Sequence, residues 1–165
     1  MGANSLYTLL IIKNKKKMEM KLTKNFTLDE MCKSDTARRL RIRNAPKPED
    51  IERLKALCEK VLQPLRDHLG EPVVISSGYR CPSLNFTIGG ASNSQHMKGE
   101  AADIKCRDFL HAKKIYAWII DNLEFDQVIL ENTIGKVYWV HVSYCASRKN
   151  RQQALVIGSR VRVKK

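Results

Sequence analysis

Ser94-Gln95-His96-Met97-Lys98-Gly99-Glu100-Ala101-Ala102-Asp103-Ile104 decides how this chain folds and where its chemistry sits. A histidine and an aspartate stand seven positions apart, a spacing that misses the three- and four-residue neighbours on a helix face. The pattern suits a loop that carries His96, turns at Gly99 and enters a short buried strand, Ala101 to Cys106. Side chains alternate along a strand, so Ala101, Asp103 and Lys105 share one face while Ala102 and Ile104 share the other. Asp103 is in apolar company, and a buried carboxylate stays charged only beside a cation or several donors. A bound metal would supply that.

A second stretch, Val137-Tyr138-Trp139-Val140-His141-Val142-Ser143-Tyr144, is rich in β-branched and aromatic residues and reads as a strand. Period two puts Trp139, His141 and Ser143 on one face. Two histidines and one carboxylate, with a fourth position open, make a catalytic type of zinc site. Each piece also has a plainer reading: a strand histidine as a hydrogen-bonded core residue, an aspartate at a strand start as a cap. Spacing alone leaves both open.

Three segments now come together: Ser76-Ser77-Gly78-Tyr79-Arg80-Cys81-Pro82-Ser83-Leu84-Asn85, Ser94-x-His96-x-x-Gly99-x-Ala101-x-Asp103, and Trp139-Val140-His141-Val142-Ser143. In content and order they resemble the signatures of the zinc D-Ala-D-Ala carboxypeptidase and murein endopeptidase family, over roughly Phe26 to Tyr144. The same zinc scaffold resembles the hedgehog signalling domain. The resemblance implies one zinc ion held by His96, Asp103 and His141, and hydrolysis of peptide bonds in bacterial cell-wall stem peptides. It also implies that Arg80 steadies a substrate carboxylate or developing charge. A guanidinium fork suits that task, although an exposed loop arginine is otherwise simply solvated. Arg80, Tyr79, Ser94, Trp139 and Ser143 are the expected substrate contacts.

The general base departs from the family pattern. Many members carry a glutamate three positions before the last histidine, and Tyr138 stands there instead. The run Asp126 to Glu131 resembles the corresponding strand of the hedgehog branch, which ends in its own glutamate. A hairpin through Asn132-Thr133-Ile134-Gly135 would bring Glu131 toward the end of the sheet that holds His141. Glu131 is therefore the expected base for the attacking water; otherwise it is a surface carboxylate at a strand end.

The remaining elements act as a mount. Thr27-Leu28-Asp29-Glu30 forms a capping box, with Phe26 and Met31 placed as a hydrophobic staple. Arg38 to Arg43 reads as a short helix or turn, and Ala45-Pro46-Lys47-Pro48 breaks the chain. A long helix starts near Glu49-Asp50, carries an apolar stripe from Ile51 to Leu69, should kink at Pro64, and ends at Gly70. Pro72 to Ser76 reads as a buried strand, and Asp108 to Asn122 as a second amphipathic helix packing on the sheet. Asn85 to Ser94 reads as a loop on the cleft rim. The expected fold is a small α+β domain: a mainly antiparallel sheet, helices on one face, and a zinc cleft on the other.

The chain has 165 residues and a net charge of +13, unevenly distributed. Residues 1–28 contribute +5 and residues 146–165 contribute +7, leaving a near-neutral body. The reading divides the chain into a basic extension (1–25), a peptidase domain (26–145) and a basic tail (146–165), with an edge strand or a mobile segment around Val161 and Val163. Basic ends favour anionic polymers. Residues 1–20 place lysines after the short apolar run Leu6 to Ile12, the reverse of a secretory signal, and that run is too short to span a bilayer. They read as an upstream extension without a folded role. Five cysteines without Cys-x-x-Cys spacing read as reduced thiols. Together these features suggest a monomer made in the cytoplasm, without membrane insertion, acting on the wall after release, as a phage lysis enzyme does. Two rival functions are a non-catalytic zinc-containing recognition module of the same fold and a nucleic-acid binder relying on its tails.

Overall fold

In the computed structural model, residues 20–133 and 137–158 are described. The expectations for residues 1–19, for the turn at 134–136, and for Val161 and Val163 lie outside them. The sheet is built from β1 (Ile75–Ser77), β2 (Ala101–Cys106), β3 (Gln127–Thr133), β4 (Val137–Ser143) and β5 (Gln153–Gly158) in the order β1-β2-β4-β3-β5. Every pairing is antiparallel except β3 with β5. The alternation expected from the sequence is realised. Asp103 lies opposite His141 on β4, which lies opposite Ile129 on its other side, and Glu131 lies opposite Trp139. One face therefore carries Asp103, His141, Trp139, Ile129 and Glu131. The opposite face presents Ala102, Ile104, Val128, Leu130, Val140 and Val142, all buried.

Helices cover that apolar face. Helix α1 (Leu28–Cys32) is capped by Thr27, whose hydroxyl accepts the Glu30 amide at 3.2 Å, and both staple residues, Phe26 and Met31, are buried. The folded body reaches upstream of Phe26: Lys21 pairs with Thr27, and Leu22 is buried. Helix α2 (Asp35–Arg39) is short and ends before Arg41, which has φ 55°. The long helix is one rod in three parts: α3 (Pro48–Leu57), a π turn (Cys58–Leu62) and α4 (Gln63–Leu69). The π turn answers Pro64. A proline has no N–H for the carbonyl four residues back, and widening the preceding turn lets the helix continue around that gap. Helix α5 (Pro82–Thr87) takes up part of the expected rim loop, and α6 (Phe109–Asn122), capped by the Asp108 carboxylate, buries Ala112, Ile115 and Ile119 against the sheet. Burial of three such side chains contributes about 5 kcal/mol of transfer free energy.

Beyond Tyr144 the chain arches around the start of β3 and returns as β5, so residues read from the sequence as tail supply a strand of the sheet. Gln152, at φ 51°, donates its amide to the Phe125 carbonyl and Gln153 donates to Asp126. These bonds hold the arch against the start of β3. Among the described residues no helix is long and apolar enough to cross a membrane.

Candidate metal centre and active-site cleft

His96 sits in a 3₁₀ turn (Gln95–Lys98) that closes on Gly99, whose φ of 72° is left-handed. An added Cβ there would strike the Asp50 carbonyl, so glycine is required both for the conformation and for the close approach to α3. The turn delivers His96 to the head of β2, and the sheet register delivers Asp103 and His141. One ligand atom from each of the three residues lies within 4.8 Å of the others. His96 Nε2 is 3.2 Å from Asp103 Oδ1, and His141 Nδ1 is 2.9 Å from the same oxygen. Burial by itself would raise the Asp103 carboxyl, but the bonds to His141 and His96 outweigh it and hold the group well below the usual carboxylate range.

The surroundings orient these ligands. His96 Nδ1 lies 2.7 Å from the Gly78 carbonyl, and donating its proton there leaves the Nε2 lone pair facing Asp103 and His141. Gly78 can hold that carbonyl in place because its Cα packs onto the Met31 carbonyl, where no Cβ fits. The loops are also clipped in reverse: the Arg80 amide donates to the His96 carbonyl at 3.1 Å. The Arg80 guanidinium donates to Asp103 Oδ2 at 2.6 Å and to Ser77 Oγ at 2.7 Å. One oxygen of Asp103 thus faces the imidazoles and the other faces a fixed cation. Two imidazoles and a partly buried carboxylate converging on one point fit a divalent transition metal with nitrogen and oxygen ligands.

These residues line one cleft of ≈ 700 Å³, together with Arg80, Ser94, Ile129, Glu131 and Trp139. Glu131 is half-buried, and its carboxyl is raised from the ordinary value, first by desolvation and then by the charge of Asp103. His141 first, and the neighbouring Trp139 indole second, oppose the shift. A carboxyl made more basic beside a metal centre is a proton acceptor suited to an attacking water.

The family model for Peptidase M15 matches residues 24–143. The chain belongs to the Peptidase M15 family. It is also similar to the zinc D-Ala-D-Ala carboxypeptidase of Streptomyces albus G, 46% identical over 44 residues, which cover 26% of this chain and 17% of that relative.

Not every residue expected in this M15 cleft lies there. Tyr79 is buried in the core; burial first, and the Asp50 carboxylate second, push its phenol up to about 12. Arg80 and Tyr79 are neighbours on an extended segment, so sending one side chain into the cleft sends the other into the core. Ser143 is fully buried, its hydroxyl accepting the Gln127 amide at 3.0 Å, and it ties β4 to β3. The Asn85 to Ser94 segment is only in part a rim loop: Asn85 is buried in α5 and donates to the Ala91 carbonyl, while Ala91, Asn93 and Ser94 line the cleft.

One feature escaped the sequence reading. Asp126, just before β3, has a fully buried side chain that accepts from Arg148 Nη1 at 2.6 Å, Arg151 Nη2 at 2.6 Å and Gln95 Nε2 at 3.1 Å. Desolvation would raise this carboxyl, yet the two guanidiniums hold it well below the usual range. Gln95, Arg148 and Arg151 also line the cleft. The available signal was an aspartate between Phe125 and Gln127 at a strand start. Its partners lie 22 and 25 residues downstream, where no local pattern points.

Proposed function

We propose that the protein is a zinc metallopeptidase that hydrolyses peptide bonds in bacterial peptidoglycan stem peptides, as a D-Ala-D-Ala carboxypeptidase or a murein endopeptidase. The observation that carries this reading is the convergence of His96, Asp103 and His141 within 4.8 Å, in a cleft that the Glu131 carboxylate and the Arg80 guanidinium also line. Family membership and the local identity to a zinc D-Ala-D-Ala carboxypeptidase support it.

Zinc, when held by His96, Asp103 and His141, supplies acidification of a water and polarisation of the scissile carbonyl. The protein's own residues do the rest. Glu131 takes the proton of the attacking water and returns it to the leaving amine, helped by a carboxyl already raised by burial. Trp139, directly opposite Glu131 in the β3–β4 register, stands beside it in the cleft lining. Arg80 keeps one N–H group on Asp103 and one on Ser77, so its remaining donors can meet a substrate carboxylate or the charge forming on the carbonyl oxygen. Action at the wall, outside the cytoplasm, belongs to the same proposal.

Mass spectrometry of muropeptides after digestion with zinc-loaded protein tests it. Wild type should release defined fragments, and Glu131→Gln should keep its zinc while losing about 10²–10⁴ in rate. Equal rates for the two, or an inert zinc-loaded wild type, would overturn the proposal and favour a recognition module.

A further inference from the structure

We propose that Arg148 and Arg151 form a second anion-binding subsite in this cleft, which holds a free carboxylate within the substrate peptide, away from the cleaved bond. The inference rests on the peptidase reading above. Its basis is a charge imbalance built around one buried group. Asp126 is fully buried and carries one negative charge, but two guanidiniums, 47% and 48% exposed, converge on it. A single carboxylate neutralises one of them. The other charge stands at the cleft wall, next to the Ser147 and Gln127 side chains, which also line the cleft.

The donor geometry points the same way. Arg148 uses Nη1 and Nη2 on Asp126, and Arg151 uses Nε and Nη2. Arg148 Nε and Arg151 Nη1 make none of these bonds, and both are fixed in direction because the other half of each fork is held. A held guanidinium loses little side-chain entropy when a ligand arrives. Other charges do not cancel the excess. Glu100 lines the same cleft wall and its charge reaches Arg148, while Arg53, 4.0 Å from Glu100, is bound to Asp50 at 2.8 Å; Arg148, Arg151, Arg53 and Lys98 still outnumber Asp126, Glu100 and Asp50 by one positive charge. The metal end needs Arg80 for the reacting peptide unit, so a carboxylate elsewhere on the peptide would meet the arch. A stem peptide supplies one at its D-glutamyl residue, where the γ-linked chain leaves the α-carboxylate free.

The test uses two synthetic stem pentapeptides ending in D-Ala-D-Ala, identical except that the D-glutamyl α-carboxylate is free in one and a carboxamide in the other. Zinc-loaded Glu131→Gln protein measures binding, so the result does not depend on turnover; wild type measures KM and kcat in parallel. The acidic peptide should bind about twofold to fivefold more tightly, as expected for half-exposed charge pairs. In the Glu131→Gln background, adding Arg148→Gln or Arg151→Gln should shrink that ratio toward one while leaving the affinity for the carboxamide peptide unchanged. A merely structural role would weaken both peptides alike and keep the ratio. Equal binding of the two peptides by the parent protein, or an equal loss for both in the arginine variants, would overturn the proposal. So would competition by a wall phosphate polymer that is abolished in the arginine variants while the peptide ratio stays intact, since that assigns the arginines to polymer contact. Failure of the peptidase reading shows instead as binding without cleavage by wild type.

Discussion

Replacing Asp126 with asparagine removes one negative charge and leaves the shape almost unchanged. In the native protein that carboxylate accepts from both guanidiniums, from the Arg151 amide at 3.1 Å and from Gln95. Asparagine keeps one oxygen for the Arg151 amide or Gln95 but turns an NH₂ group toward two cations. Removing one partner of a fully buried ion pair costs about 3–5 kcal/mol. Here the guanidiniums are nearly half exposed and regain water, so the expected loss is smaller, about 2–3 kcal/mol. With a urea m-value of about 2 kcal/mol per molar, the midpoint should fall by roughly 1 M. Hydrogen exchange should show protection lost first along β5, which the arch anchors. The pH dependence has a definite sign. Asp126 is held below its unfolded value, so its contribution is fully present above the ordinary carboxylate pKa of about 4 and is lost as pH falls toward the folded value. The gap between wild type and Asp126→Asn should therefore be largest near neutral pH and narrow between about pH 5 and pH 2. Both proteins must be compared with zinc present. Equal midpoints at pH 7, or a gap unchanged at pH 3, would refute the account of the arch as charge-anchored.

Other outcomes can be checked directly. Alanine at His96, Asp103 or His141 should each leave protein that purifies with well under one zinc per chain by inductively coupled plasma mass spectrometry; full occupancy in any of them removes that residue from the ligand set. Gly78→Ala drives a Cβ into the Met31 carbonyl and displaces the acceptor of the His96 bond. Zinc affinity by chelator competition should fall about 10–100-fold, the usual effect of losing an outer-sphere partner. Tyr79→Phe should cost no more than about 1 kcal/mol of stability, because the ring keeps its place in the core and only a hydroxyl near the Asp50 charge is lost. Its kcat/KM should stay within about twofold of wild type, because the ring lies in the core; a tenfold fall would return Tyr79 to the cleft.

Much of this molecule can be read from local chemistry. The period-two pattern of Val137 to Tyr144 identified the face that holds His141, and Gly99 marked the turn that presents His96, because both follow from backbone geometry within a few residues. Thr27 and Asp108 cap their helices for the same reason. What could not be read depends on closure over distance. Pro64 suggested a kink, but whether the preceding turn widens instead depends on how tightly α4 packs, with Leu65 fully buried. Tyr79 is both apolar and polar, and only the direction of Arg80 decides which side it takes. The segment from residue 146 read only as a basic tail, since two of its arginines find their partner only when the arch closes on Asp126.

The protein draws an aspartate largely out of water twice, and the difference in solution separates a metal site from a clasp. At Asp126 every partner is a donor: guanidinium N–H groups, a backbone amide and a side-chain amide. No lone pair in that shell faces a common point, so a cation has nothing to bind. At Asp103 the partners facing Oδ1 are two imidazoles, which can give up a proton and offer a lone pair, and Arg80 is confined to the other oxygen. His96 has its second nitrogen committed to a carbonyl, which fixes the tautomer that leaves Nε2 open. The strand register supplies the rest: Asp103 and His141 are directly paired, so their separation is set by the sheet and not by a flexible loop. A carboxylate ringed only by donors holds a chain in place; one facing convertible imidazoles from rigid positions can hold an ion.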